Sequence, residues 1–406
     1  MAEEHPTTHK KESDEHHVKP VHHSLGKELH DTKSKGVGKI SGVHYVLFGL
    51  IAVVLLFNII QSGSMSGVIE EAVEKAKEAA TPALVELVVL TNEGCEDCFS
   101  VEGVVSSVKD AHTNITSEET LAFDSEEGKK LIEQYGITRI PSAIVTGDIE
   151  KAGIRNFEEQ EDVLVFTQVL PPYTDASSGK VHGLVDVTLL TTPSCEQCID
   201  LAVSVTELKT QVTIATEKSV AYSSPQGKDL IAKYAITQVP TLILSSELEP
   251  YTDISSNWEG VGSVEKDGSY VMRNIAPPYV DPSSGKTMGL VHMIMVKDDS
   301  CTECYDVEIH KQIMGRFGLI FSGEETVDIS SAQGQDLKAK YSITEVPMVI
   351  LSKETEAYDP LVSVWNQVGD VADDGSYIFR NNVVLGETYK DLVTGKVVVP
   401  EPQEAS

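Results

Sequence analysis

A pair of cysteines separated by two residues occurs three times in this chain, and each time a proline follows at almost the same distance. The pairs are Cys95/Cys98, Cys195/Cys198 and Cys301/Cys304, and the prolines are Pro141, Pro240 and Pro347. From first cysteine to proline the separations are 46 (95 to 141), 45 (195 to 240) and 46 (301 to 347). The surroundings repeat as well: LVELVVLTNEGCEDC from Leu84, LVDVTLLTTPSCEQC from Leu184 and LVHMIMVKDDSCTEC from Leu290. A period of about 100 residues is longer than any stacked solenoid unit, so the chain reads as whole domains in a row. Its 406 residues suit that reading.

Each copy carries the same order of elements. An apolar strand comes first (Leu84–Leu90, Leu184–Leu190, Leu290–Val296), rich enough in Val, Leu, Ile and Met to be central in a sheet. The cysteine pair follows and is expected to open a helix. A second strand is expected near Thr116–Phe123, Gln211–Ala215 and Leu319–Val327. The next helix is marked by Leu131, Ile132 and Tyr135, repeated as Leu230, Ile231 and Tyr234. Then come Ile-Thr-x-(Ile/Val)-Pro and a further apolar strand. In copies two and three a hairpin is signalled by Asp267-Gly268 and Asp374-Gly375. The sequences PPYTDASSGK from Pro171, PPYVDPSSGK from Pro277 and ETYKDLVTGK from Glu387 end the copies and read as linkers. The fold class is α/β.

All six cysteines belong to these pairs. Structural disulfides normally close longer, irregular loops, so the spacing points to reactive or metal-binding thiols. On the first turn of a helix, unpaired N–H groups and the helix dipole would favour a thiolate on the first cysteine. Cys95, Cys195 and Cys301 would then attack a substrate disulfide, and Cys98, Cys198 and Cys304 would resolve the mixed disulfide. Zinc normally takes four ligands. No histidine recurs beside the pairs in all three copies, His310 following only Cys304.

The cysteine pair, the spacing and the proline together make each copy resemble the thioredoxin superfamily, over roughly residues 83 to 400. The resemblance implies that Pro141, Pro240 and Pro347 are cis and face the cysteines. It also implies that the backbone of Ile140, Val239 and Val346 pairs with an extended substrate, and that the only redox group is the disulfide itself. There are departures. Thioredoxin usually has Trp before the first cysteine, where this chain has Gly94, Ser194 and Ser300. Its buried acid is replaced by Val89, Leu189 and Met295. Acids between the cysteines (Glu96, Asp97, Glu196, Glu303) disfavour a neighbouring thiolate. Stable disulfides in a non-catalytic surface scaffold are therefore the alternative to catalysis.

Ahead of the repeats, Val43 to Ile60 contains no Asp, Glu, Lys or Arg and is long enough to cross a bilayer as a helix. The polar leader of more than forty residues suits an uncleaved signal anchor better than a cleaved signal peptide. Lys27, Lys33, Lys35 and Lys39 precede the span, while residues 61–74 contain no Lys or Arg. That asymmetry puts the N-terminus in the cytoplasm and the repeats outside. The expected organisation is a disordered tail (1–42), a transmembrane helix (43–61) and a helical stalk (62–82). Three thioredoxin-like domains (83–181, 182–288, 289–400) and a short tail (401–406) follow. The tail's seven histidines read as biased composition rather than metal capture. The formal net charge of −31 argues against nucleic acid as a partner. The expected function is a membrane-anchored, extracytoplasmic thiol–disulfide oxidoreductase. Its expected partners are protein thiols and disulfides, with a membrane electron donor to reload it. Trp258 and Trp365 occupy matching places and are expected to pack beneath the hairpins, and Asn114-Ile115-Thr116 is a glycosylation sequon.

Overall fold

The computed structural model describes residues 49–54 and 70–401. Most of the expected membrane span, the tail before it, the start of the stalk and residues 402–406 lie outside the described residues. Residues 49–54 are helical, and among the described residues no helix is long and apolar enough to cross a membrane. Residues 70–80 form the exposed helix expected of a stalk, with Lys75 and Glu71 ion-paired at 3.2 Å across one turn.

From Thr81 onward the chain builds three five-stranded sheets of identical order. In the first, the central strand Ala83–Thr91 pairs in parallel with Thr113–Ala122 on one side. On its other side it runs antiparallel to Ser142–Gly147, which pairs with Val163–Val165, and Glu158–Gln160 closes the sheet. The corresponding central strands are Leu184–Thr191 and Leu290–Lys297. The parallel partner in the second copy is Thr213–Ala221, starting later and running further than its sequence suggested. The first copy also has the closing hairpin that its sequence did not announce. There the turn uses Glu161 at φ 54° in place of Asp-Gly.

Alternation along the central strand divides the first and second cores in two, whereas the third is one cluster. Val85, Leu87 and Val89 face Val108 of the helix Glu102–Asp110. Leu90, with Ile140, Ile144 and Val165, packs towards Leu131 of the helix Glu126–Tyr135. The second helix of each copy begins with a serine (Ser125, Ser224, Ser331) whose hydroxyl accepts from the glycine amide three residues on. Trp258 and Trp365 are buried as expected. Their indole N–H groups donate to the carbonyls of Ser263 and Asp370 in the closing hairpins.

Two expectations are overturned. The cysteines do not sit on the first turn of a helix: they lie in a turn, and the helices begin only at Glu102, Ala202 and Ile309. In the first and third copies the amides just past the second cysteine, Phe99 and Tyr305, donate to Pro172 O (2.7 Å) and Thr388 O (2.9 Å) rather than to a helical carbonyl, and the second copy makes the same turn without that bond. Nor are the Pro/Ser/Gly segments linkers. Each is a β-hairpin, Tyr173–Asp175 with Val181–His182, Tyr279–Asp281 with Lys286–Met288, and Tyr389–Asp391 with Val397–Val398. Their turns are fixed by an aspartate that accepts hydrogen bonds from the next residues, with a glycine at φ near 70° four positions on. Ser178 and Ser177 hold the Asp175 carboxyl down to about 2. Consecutive repeats then join with no free spacer. Gly183 and Gly289, each directly after a hairpin's last strand, are held by the copy they lead into, Tyr251 OH donating to Gly183 O (2.8 Å) and Tyr358 OH to Gly289 O (2.7 Å).

Candidate active sites

Each cysteine pair is joined as a disulfide, with Cα atoms 5.4, 5.4 and 5.5 Å apart. All six cysteines are half-buried, and the residues between them are exposed. The turn that presents them is closed from three residues upstream, where Asn92, Thr192 and Asp298 accept from the first cysteine's amide. Because the cysteines precede the helices, the dipole has little hold on them. Val89, Leu189 and Met295, standing where thioredoxin keeps its acid, are buried among apolar side chains. No proton relay beneath the disulfide is built from these positions.

The bonds Ile140–Pro141, Val239–Pro240 and Val346–Pro347 are all cis. In the second copy Pro240 and both cysteines line one cleft of about 240 Å³, together with Leu189, Thr192 and Ile199. A disulfide in a turn after the central strand, beside a cis-proline that opens the adjacent antiparallel strand, is now seen three times. The fold is thioredoxin-like.

No family model matches the chain, and no curated protein does. Among solved structures the chain is similar to the NTD_N/C domain of alkylhydroperoxide reductase AhpF from Enterococcus faecalis. That match has 16% identity over 41% of this chain and 84% of that one, with a TM-score of 0.15. ERdj5 matches at 11% identity over 71% of this chain and 42% of its own, also with a TM-score of 0.15. Human ERp44 matches at 10% identity over 76% of this chain and 98% of its own, with a TM-score of 0.13.

The edge beside each cis-proline is already paired. Ile140 faces Thr174, Val239 faces Val280 and Val346 faces Lys390, all antiparallel and all from the terminal hairpin of the same copy. The backbone expected to receive an extended substrate is thus engaged by the chain itself. Thr174 Oγ1 lies 3.8 Å from Cys98 Sγ and accepts from Asn92 Nδ2 at 2.8 Å. Lys390 Nζ meets Asp298 Oδ2 at 2.6 Å and donates to Ser300 Oγ at 3.1 Å. Burial alone would raise the Asp298 carboxyl, but hydrogen bonds from Lys390 and Ser300 outweigh it and hold the group below the usual carboxylate range. The sequence reading passed over Thr174, Val280 and Lys390. The recurring Asp followed four residues later by Gly was the available signal, and it marks a hairpin.

The third copy adds a buried polar cluster. Tyr305, directly after Cys304, places its hydroxyl 2.7 Å from Pro347 O, 2.8 Å from Asn382 Oδ1 and 2.8 Å from His310 Nε2. His310 and Asn382 are fully buried, and Phe379 packs edge-on to the imidazole. Among the described residues His310 Nδ1 has no partner. Nε2 is then the protonated nitrogen, donating to the tyrosine oxygen, whose own hydrogen is free for a carbonyl. Burial pushes the histidine down to about 4 and raises the tyrosine. Among the described residues no group of three or more His, Cys, Asp or Glu is arranged to hold a metal.

Proposed function

We propose that the chain is a protein thiol–disulfide oxidoreductase, held at a membrane by residues 43–61 with its three redox domains on the extracytoplasmic side. The reading rests on one recurring arrangement, a half-buried Cys-x-x-Cys disulfide beside a cis-proline in three copies. A substrate thiolate attacks one sulfur of the pair, breaking the S–S bond and forming a mixed disulfide. The substrate's second thiolate then attacks the mixed disulfide and leaves oxidised, while the domain keeps two electrons as a dithiol. The reverse sequence reduces a substrate. Electrons travel on the cysteines alone: in the reducing direction a membrane electron donor returns the disulfide to the dithiol with two electrons and two protons, and in the oxidising direction an electron acceptor removes them. The uncharged run from Val43 to Ile60 and the lysines ahead of it support the anchor and its orientation.

A second reading has support of its own. Hairpins pair with all three cis-proline edges, and apolar residues replace the buried acid, as in a surface scaffold with structural disulfides. The test is turnover of a disulfide-bonded protein substrate by the full-length chain. Under the first reading turnover occurs and is lost when Cys95, Cys195 and Cys301 are all changed to Ser. Absence of turnover, with pairs that resist dithiothreitol, favours the scaffold. Protease protection in sealed vesicles checks the orientation.

A further inference from the structure

The three hairpins occupy equivalent grooves but are not equally well fastened. In the first and third copies the hairpin joins the cis-proline edge in a three-stranded sheet. In the second it forms only a two-stranded sheet, touching the edge through the single bridge between Val239 and Val280. Three differences in sequence account for this. Ala176 and Leu392 donate their amides to Thr138 O (2.9 Å) and Thr344 O (2.8 Å), whereas the corresponding residue in the second copy is Pro282, which has no N–H. Phe99 and Tyr305 donate to the residue that leads into the hairpin in copies one and three; among the described residues Ile199 makes no such bond. Thr174 and Lys390 are latched to Asn92 and Asp298, but Val280 offers Thr192 nothing polar.

We infer that each terminal hairpin is a built-in occupant of its own peptide groove, and that the second copy's hairpin is the one that yields to an extended, cysteine-bearing peptide. An exposed strand edge is a ready template for β-augmentation, and a hairpin filling it must leave before a substrate strand can pair. The groove with the fewest fastenings opens at the least cost, and local opening of this kind needs no global unfolding. The second pair also lies in a cleft lined by both cysteines and Pro240. Cys195 and Cys198 are therefore the entry point for exchange, while the Lys390–Asp298 ion pair makes the third copy the most tightly closed.

This inference deepens the exchange reading and rests on it for its biological sense, but the hairpins can be tested without a protein substrate. The full-length chain in mild detergent is treated with dithiothreitol, quenched with an alkylating agent at intervals, and each pair is quantified by peptide mass spectrometry. The reductant closes to its cyclic disulfide as each pair gains two electrons and two protons. Cys195/Cys198 should open about tenfold or more faster than Cys301/Cys304, the scale of one charge-assisted hydrogen bond. Lys390→Met or Asp298→Asn should accelerate the third pair and leave the second unchanged. Thr192→Asp with Val280→Lys should slow the second pair by moving the latch there. Equal rates for the three pairs, or a third pair that opens first, would overturn the inference, and the wild-type chain alone can deliver that result. If the pairs open in the expected order but no protein substrate turns over, the hairpin inference stands and the oxidoreductase reading falls. Turnover with equal rates means the reverse.

Discussion

The amide of Val239 donates to the carbonyl of Val280 at 3.0 Å, and the amide of Val280 donates back to Val239 at 2.8 Å. This reciprocal pair joins the residue before a cis-proline to a hairpin of the same chain. It leaves that edge residue with no free backbone group on the side a peptide would approach. Competition between hairpin and substrate thus becomes a property of the site, and differences between the copies become differences in that competition.

His310 should make the third copy acid-sensitive well above carboxylate titration. Its pKa is lowered to about 4 by burial, so the folded state holds the neutral ring while the unfolded chain takes up a proton near pH 6.5. The unfolded state therefore binds more protons between those values, and stability is full above about pH 6.5 and falls as the pH drops towards 4. A gap of that size is worth about 3 kcal/mol. Denaturant melts at pH 7 and pH 4.5, comparing wild type with His310→Phe, should show a larger acid loss in wild type. Equal losses in the two proteins would remove the histidine from the account.

The latch on the third hairpin should release only in stronger acid. Asp298 is held below its ordinary pKa, so its contribution is complete above about pH 4 and disappears as the pH falls through the lowered value. A phosphine reductant, which needs no thiolate, can follow each pair across this range. The rate for Cys301/Cys304 relative to Cys95/Cys98 should climb as the pH falls below about 4. In Asp298→Asn the ratio should already be high and should stay flat.

The second helix of each copy tolerates little at its start and has room for improvement at its end. A Cβ on Gly227 would stand 2.2 Å from Ala221 O, a backbone atom that cannot swing away. Gly227→Ala should cost about 1–3 kcal/mol by overpacking, and Ser224→Ala about 1 kcal/mol through the lost cap. At the other end Ala235 is held at φ 48°, where the first copy has Gly136 at φ 60°. Ala235→Gly should stabilise by up to about 1 kcal/mol, since glycine enters the left-handed region without the Cβ clash. Thermal melts of the single variants check all three signs, and a destabilising Ala235→Gly would contradict the strain argument.

How much of this was legible in the sequence depended on the range of the interaction. The central strands, the second helices and the buried tryptophans follow from local pattern, because apolar spacing and Asp-Gly each act within a few residues. The cis-prolines were legible only through resemblance, since isomer choice belongs to the surrounding fold. The cysteine turn was misread as a helix start: the spacing of the pair does not separate the two, and in two copies the amide after it bonds to a carbonyl far along the chain, at Pro172 and Thr388.

The repeated cysteine pair, proline and apolar strand pointed by themselves to three like sheets, because similar local patterns favour similar elements. Composition gave the apolar run and the acidic surface. What pairs with the edge beside each cis-proline was decided by tertiary structure. The segments that looked like linkers satisfy an otherwise unpaired strand edge, and whether they do so firmly depends on Pro282, Lys390 and Asp298 meeting partners distant in sequence. Three sites with almost the same text are therefore closed to different degrees.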